Sequence, residues 1–319
     1  MTGTETLRGP EAVDAVASGP RARLQRLTDE VVGRRHQVEL LLAALDCGAH
    51  ALLEGPPGTG KTTLLRAIAG AGDIGFVFVE GNAELTPSRL IGHFDPSQVL
   101  VGGYTAATFV DGPLVEALRT GALLYVEEVN RVPEETLNVL ITVMSEGELH
   151  VPRLGHVPAA RGFRLVAAMN PFDGVGTARI SAAIYDRVCR ITMDYQDAHD
   201  EHDIVVLRAP EVPAAWRGSV VDLVRRTREH PDIRVGSSVR GAIDMVRLAV
   251  SLAALRDRDA TGWRTGHDAA QVALSGRIRL HEACTRTPEA VVEELYRAVF
   301  GDEPRDADEA PGGDAPGGA

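Results

Sequence analysis

The chain's only lysine, Lys61, lies inside Gly55-Pro56-Pro57-Gly58-Thr59-Gly60-Lys61-Thr62. That run fits the phosphate-binding pattern GxxxxGK[ST] at every constrained position. No other feature constrains the fold as much, because the pattern works where a strand turns sharply into a helix. Residues 49–54 read as the buried strand, and residues 62–69 read as the helix, ended by Gly70. The other 32 of the 33 basic residues are arginine. A P-loop is where arginine should fail, since a compact ammonium fits between the β- and γ-phosphates and a broad planar guanidinium does not. The glycines let backbone N–H groups turn toward the phosphates, and the helix through Thr62 and Thr63 aims its positive end at them. The Thr62 hydroxyl is placed to hold Mg²⁺. A glycine-rich turn that binds nothing would not need this combination. Residues 55–63 therefore imply a nucleoside triphosphate site with Mg²⁺.

The 319 residues can bury one large core or two modest ones, and 44% hydrophobic with 24% charged content is ordinary for a globular protein. No apolar stretch is long enough to span a bilayer, and residues 1–20 lack the basic-then-apolar layout of a signal peptide. Cys47, Cys189 and Cys284 are few, odd in number and far apart, which fits a reducing cytoplasm. The formal charge is −12, and residues 301–319 carry six acids against Arg305 alone. Nucleic-acid binders gain counterion-release energy through basic surfaces. An acidic body makes protein the expected target, and nucleic acid an unlooked-for one.

Four segments are expected. Residues 1–22 read as a mobile arm, 23–196 as an α/β core, 197–300 as an all-helical domain, and 301–319 as a disordered acidic tail. In the core, strand candidates at 51–54, 76–79, 123–126 and 165–169, with a fifth near 190–193, alternate with helical patterns at 37–47, 114–120 and 134–145. Such alternation predicts a parallel sheet covered on both faces. After residue 196 only helical spacing is seen, at 220–228, 239–256, 269–284 and 288–300. The last of these opens with Thr287 as N-cap and Pro288 at the first helical position.

Downstream, Leu123-Leu124-Tyr125-Val126-Glu127-Glu128 is an apolar strand ending in two acids, the Walker B layout. The first acid supports Mg²⁺ and the second polarises the attacking water as general base. Neighbouring residues at a strand end point in opposite directions, which suits two tasks. Ordinary solvated glutamates explain either acid alone, but not the pair. A second buried strand ends at Asn170-Pro171, where an amide could orient water or sense the γ-phosphate, although Asn-Pro is also a common turn. The run Asp197-Ala198-His199-Asp200-Glu201-His202-Asp203 reads better as a solvated first helical turn than as a metal site.

Taken in order, residues 55–62, Glu127-Glu128-Val129-Asn130-Arg131, Ala168-Met169-Asn170-Pro171 and Tyr185-Asp186-Arg187 resemble the AAA+ ATPases of the MoxR group, which includes CbbQ-, NorQ- and CoxD-like accessory ATPases. Asp111-Gly112-Pro113-Leu114 and Ser237-Ser238-Val239-Arg240 extend the likeness, which runs from about residue 31 to 300. The resemblance implies a P-loop AAA+ core followed by a small helical lid. It implies that Val31, Val32 and Gly33 line the adenine site and that Asn170 is sensor 1. Arg187 would be an arginine finger reaching the next subunit's γ-phosphate, with Arg179 as the alternative, and Arg240 would be sensor 2. The bland reading of Arg187 is a salt bridge with Asp186. Residues 84–114 look like the helix-2 insertion of this branch and residues 148–157 like its hairpin before sensor 1. Both would face a pore or substrate, and Tyr104 reads equally as a packed aromatic.

One position departs from the family, which usually has Asp where this chain has Glu127; the longer arm could loosen Mg²⁺ support and slow turnover. The implied activity is Mg²⁺-dependent ATP hydrolysis by a homo-oligomeric ring, with six subunits the usual number, that remodels or activates a partner protein. That partner would be a separate von Willebrand factor A (VWA) domain protein or a client enzyme, in some cases for metal insertion. The alternatives are a magnesium-chelatase-like motor subunit and a slow nucleotide-gated switch.

Overall fold

The computed structural model describes residues 20–72, 74–171 and 180–304. The chain divides into two compact units, Met1–Gln196 and Asp197–Ala319.

The first unit opens with α1 (Pro20–Glu30) and α2 (Arg35–Asp46), then β1 (His50–Glu54), α3 (Lys61–Ala71) and β2 (Phe76–Glu80). There follow α4 (Pro87–Ile91), β3 (Gly92–Phe94), α5 (Pro96–Gly102), β4 (Phe109–Asp111), α6 (Pro113–Thr120) and β5 (Leu123–Glu127). It closes with α7 (Glu134–Glu146), β6 (Glu148–Val151), β7 (Gly155–Pro158), β8 (Arg164–Met169), α8 (Ala182–Tyr185) and β9 (Val188–Thr192). Five strands form a parallel sheet in the order β2-β5-β8-β1-β9. Successive side chains of a strand face opposite sides, and both sides here are apolar. Leu52, Leu124, Val126, Leu165 and Ala167 join one core with residues of α6 and α7, while Leu53, Tyr125, Val166 and Ala168 join another with α2 and α3. All five predicted strands are present within a residue or two of their expected ends. The insertion between α4 and α6 contains the short antiparallel pair β3–β4, which no sequence signal revealed. The pair β6–β7 is a hairpin at the expected place.

The second unit consists of α9 (Ala198–Arg208), α10 (Ala214–Arg226), β10 (Ile233–Val235), α11 (Val239–Arg256), α12 (Trp263–Leu274), β11 (Arg279–Leu280) and α13 (Pro288–Phe300). Its own core gathers Val205, Trp216, Val220, Met245, Val246, Ala270, Leu274, Val292 and Tyr296. The expected helix at 269–284 does not exist as such. The helix stops at Leu274, and Ile233 and Val235 pair with Leu280 and Arg279 in a small antiparallel ladder, so the unit is not wholly helical. The alternation of Ile278 and Leu280 with arginines is a strand period inside what reads as a helical stripe. Thr287 caps α13 by accepting from the Ala290 amide at 3.3 Å, with Pro288 at the first turn.

Two segment ends also move. Residues 20–22, read above as part of the arm, begin α1, while residues 1–19 lie outside the described residues. Residues 305–319 lie outside them too, but the start of the predicted tail is bonded to the helical unit. The Trp263 indole donates to the Gly301 carbonyl at 2.9 Å, Arg297 meets Asp302 at 3.1 Å, and Arg264 pairs with Glu303. Among the described residues no helix is long and apolar enough to cross a membrane.

Candidate nucleotide-binding site

β1 ends at Glu54, and the chain turns through residues 55–60 into α3, so the P-loop sits at the carboxyl end of a central strand. Open parallel sheets bind ligands at that end. The turn needs glycine for two separate reasons. A Cβ at Gly55 would lie 1.9 Å from the Met193 carbonyl oxygen, so the loop packs against backbone there. Gly58 and Gly60 have φ of +78° and +83°, the left-handed region, and Gly60 is the N-cap of α3. A Cβ at Gly60 would meet nothing within 4 Å, which leaves room beside the loop for a phosphate. Thr59 closes the loop by donating to the Pro56 carbonyl at 3.0 Å. The Lys61 ammonium is buried and donates to the Gly55 and Pro56 carbonyls, both at 2.9 Å. Pro57 forms the outer corner and Thr63 continues the first turn of α3.

The Thr62 hydroxyl donates to the two carboxylate oxygens of Glu127 at 3.0 and 3.2 Å. The extra methylene relative to aspartate therefore does not take the carboxylate away from the P-loop. Hydroxyl and carboxylate form an all-oxygen set, the donor chemistry Mg²⁺ prefers. Tyr125, two residues earlier on the same face of β5, brings its hydroxyl to 3.4 Å from that of Thr62. Burial first, and then the Glu127 charge, push its phenol well above the usual tyrosine range, so it stays protonated. Glu128 points elsewhere. Its backbone is left-handed at φ +51°, and its carboxylate pairs with Arg131 at 3.0 Å, both side chains about two-fifths exposed. Gly81 fits against this corner because a Cβ there would come within 2.4 Å of the Glu128 carbonyl oxygen.

Asn170 follows β8 directly, and its carbonyl accepts from the Asn130 amide at 3.5 Å. The preceding Met169 carbonyl accepts the Gly55 amide at 3.2 Å, which sets this strand end beside the P-loop. Val32 and Gly33 lie in the turn between α1 and α2, with Gly33 at φ +69°. Next to them the buried Arg34 donates to the Thr59 carbonyl at 2.9 Å and to the Asp194 carbonyl at 2.6 Å, which fixes this turn against the P-loop.

Residues 50–188 match the AAA domain of the dynein-related subfamily, and residues 225–295 match a AAA lid domain. An uncharacterized protein of Staphylococcus haemolyticus is 33% identical over 65% of this chain and 80% of its own length. The chain belongs to the AAA+ family.

The uncharacterized protein YeaC of Bacillus subtilis is 28% identical over 86% of this AAA+ chain and 92% of its own length. The gas vesicle ATPase GvpN of Haloferax mediterranei is 30% identical over 60% of each chain, so the match spans three fifths of that ATPase. Among solved structures, a proline-to-glycine mutant of Thermotoga maritima RuvB shares the fold, with a TM-score of 0.54 at 18% identity over 76% of this chain and 71% of that one. The family hydrolyses nucleoside triphosphates and generally assembles into rings.

Arg187 makes contacts away from the P-loop of its own AAA+ unit. Its guanidinium donates to the Ala183 carbonyl at 2.8 Å and to the Ser145 hydroxyl, and lies 3.8 Å from Asp186. The aspartate contact of the bland reading is thus present but long. Arg179 lies outside the described residues. Arg240 belongs to the second unit, where it is exposed in the first turn of α11. In the helix-2 insertion, Tyr104 meets Phe94 edge-on at 5.0 Å and the Arg153 guanidinium of the β6–β7 turn at 3.9 Å, and is still half exposed. Among the described residues no group of three or more His, Cys, Asp or Glu could hold a metal. Asp197 caps α9 by accepting from the Asp200 amide at 2.9 Å.

Arg34 and Gly81 are absent from the sequence reading, and Tyr125 and Arg131 stand in it as motif residues without a role of their own. Arg34 had a usable signal, a charged residue directly after the Val-Gly turn, but its burial depends on the carbonyls of residues 25 and 160 positions away. Tyr125 reads as an ordinary apolar strand residue until the sheet register sets it over Thr62.

Proposed function

We propose that this chain is a MoxR-type AAA+ ATPase that binds ATP with Mg²⁺, hydrolyses it at the interfaces of a homo-oligomeric ring of six, and uses the cycle to remodel or activate a partner protein. The observation that carries the reading is the Thr62–Glu127 contact, which unites the P-loop hydroxyl with the Walker B carboxylate across 65 residues. Thr62 and Glu127 would hold Mg²⁺, which when bound neutralises charge on the β- and γ-phosphates. Lys61 compensates the same phosphates as a point charge. Glu128 accepts the proton of the attacking water once it leaves Arg131, and Asn170 orients that water. Arg187 reaches the neighbour's γ-phosphate, and Arg240 reaches the nucleotide of its own subunit. Val32 and Gly33 flank the adenine.

The insertion supplies a surface for the partner. Leu100 and Val101 at the end of α5 are 89% and 93% exposed. Apolar side chains this exposed suit contact with protein. A separate VWA-domain protein is the partner to try first, and an acidic chain in the cytoplasm fits a protein client better than nucleic acid.

Calorimetry with Lys61→Ala tests the site. ATP affinity should fall by ~100-fold or more, because the ammonium's charge on the phosphates is worth at least a few kcal/mol. Unchanged affinity would refute the P-loop assignment.

A further inference from the structure

The chemistry above makes no use of Glu54, although it is the last residue of β1 and abuts the P-loop. It is only 2% exposed. A buried carboxylate is strongly disfavoured unless its oxygens are matched by donors. Here the two oxygens go to two different elements. One accepts from the Arg190 guanidinium of β9, the strand already hydrogen-bonded to β1. The other accepts from the Tyr185 hydroxyl at 2.7 Å. Tyr185 ends α8, which lies outside the sheet, and it comes two residues before Arg187. The Arg187 amide donates to the Ile184 carbonyl at 2.9 Å and its guanidinium to the Ala183 carbonyl, so Arg187 is bound to the same short helix. A continuous path therefore runs from the first glycine of the P-loop through Glu54, the Tyr185 phenol and α8 to Arg187.

Arg190 by itself would supply a countercharge. The bond to Tyr185 adds a directional link to a helix of only four residues, and hydrogen bonds weaken steeply when stretched or bent. We propose that Glu54 is a positioning residue that couples the phosphate loop of a subunit to the arginine finger which that subunit offers its neighbour, acting through the Tyr185 hydroxyl. This rests on the reading of Arg187 as a finger acting in trans. A displacement of Gly55 when phosphate enters moves Glu54, which pulls α8 and resets Arg187, so the nucleotide state of one site governs catalysis at the next.

The test uses Tyr185→Phe, which removes one oxygen and leaves the P-loop sequence intact. ATP affinity by calorimetry should stay within about twofold, while hydrolysis falls by ~10-fold or more, since a misplaced catalytic group costs that much or more. Mixing then separates coupling from general damage. Tyr185→Phe combined with Glu128→Gln should regain activity, because intact fingers of the Glu128→Gln subunits then face intact Glu128 residues. Tyr185→Phe combined with Arg187→Ala should regain none, because both lack a working finger. Wild-type turnover by Tyr185→Phe, or recovery with Arg187→Ala but not with Glu128→Gln, overturns the coupling. Glu54→Gln keeps an acceptor for the phenol and should turn over faster than Tyr185→Phe; a slower rate at equal ATP affinity would assign the effect to charge and overturn the hydroxyl link. Glu128→Gln mixed with Arg187→Ala serves as the control. If that pair fails to recover in rings shown to be mixed, the trans finger itself is wrong; if it recovers while Tyr185→Phe does not complement, only the coupling falls.

Discussion

Glu54 in the sheet unit and Glu201 in the helical unit are the two glutamates buried among the described residues, at 2% and 1% exposure, and both face arginine. Glu201 is held by Arg225 at 3.0 Å and Arg228 at 2.6 Å, two residues on or just after the last turn of α10. Both of its partners come from one neighbourhood, and Arg228 also donates to the Ser237 carbonyl at 2.7 Å, so the cluster pins α9, α10 and the approach to α11. Glu54 instead divides its oxygens between a sheet strand and a helix beside Arg187. Equal burial and similar chemistry thus serve architecture in one unit and sit against the reacting loop in the other. The difference lies in where the partners lead.

Three measurements put this contrast at risk. The strongest response belongs to the sheet unit. Glu128→Gln should bind ATP normally and lose turnover by ~10²–10⁴-fold, because an amide keeps the shape but cannot take the water's proton. Its thermal stability should not change, since Glu128 is exposed and paired only at the surface. A stability loss with activity retained would mean that this carboxylate behaves like Glu201.

Next comes Glu201→Ala, which leaves Arg225 and Arg228 facing a cavity. Breaking a buried pair on one side costs about 3–5 kcal/mol. Urea unfolding should show that loss, and a cost below about 1 kcal/mol would remove the architectural role.

The weakest response is a pH dependence in the sheet. His50 opens β1, and its Nδ1 accepts the Leu165 amide at 2.9 Å, a bond that only the neutral ring can make. Burial, helped by the Arg164 charge, lowers its pKa from 6.5 to about 4. The unfolded chain therefore takes up a proton that the folded chain refuses. The stabilisation is complete above pH 6.5 and is lost as pH falls toward 4, to a total of at most about 3 kcal/mol. Thermal melts of the wild type and His50→Gln across that range isolate it from the carboxylates. Parallel slopes would show that His50 does not titrate as described.

The sheet unit was more legible than the helical one, for a physical reason. Its strands are short apolar runs ending at functional residues, so residues 55–62 and Glu127-Glu128 fix both the fold and the site from local chemistry. Helix α3 runs through Gly70 to Ala71, because one glycine does not end a helix whose apolar face stays packed. In the helical unit the stripe at 269–284 misled, since the ladder of β10 and β11 joins residues more than forty apart. The same distance effect hid the site's outer ring. The contacts of Arg34 and the Glu54–Tyr185 bond exist only once the sheet has brought remote segments together.

Lys61 has a consequence outside nucleotide chemistry. It is the one side chain in the protein that carries a primary amine, it is 8% exposed, and two carbonyls hold it. A lysine-specific endoproteinase finds a single bond to cut, between Lys61 and Thr62 in the first turn of α3, and it can do so only when that turn unravels. Digestion at this bond therefore clocks the opening of the phosphate loop, and an amine-acylating reagent applied to side chains reports on the same cradle without any engineered label.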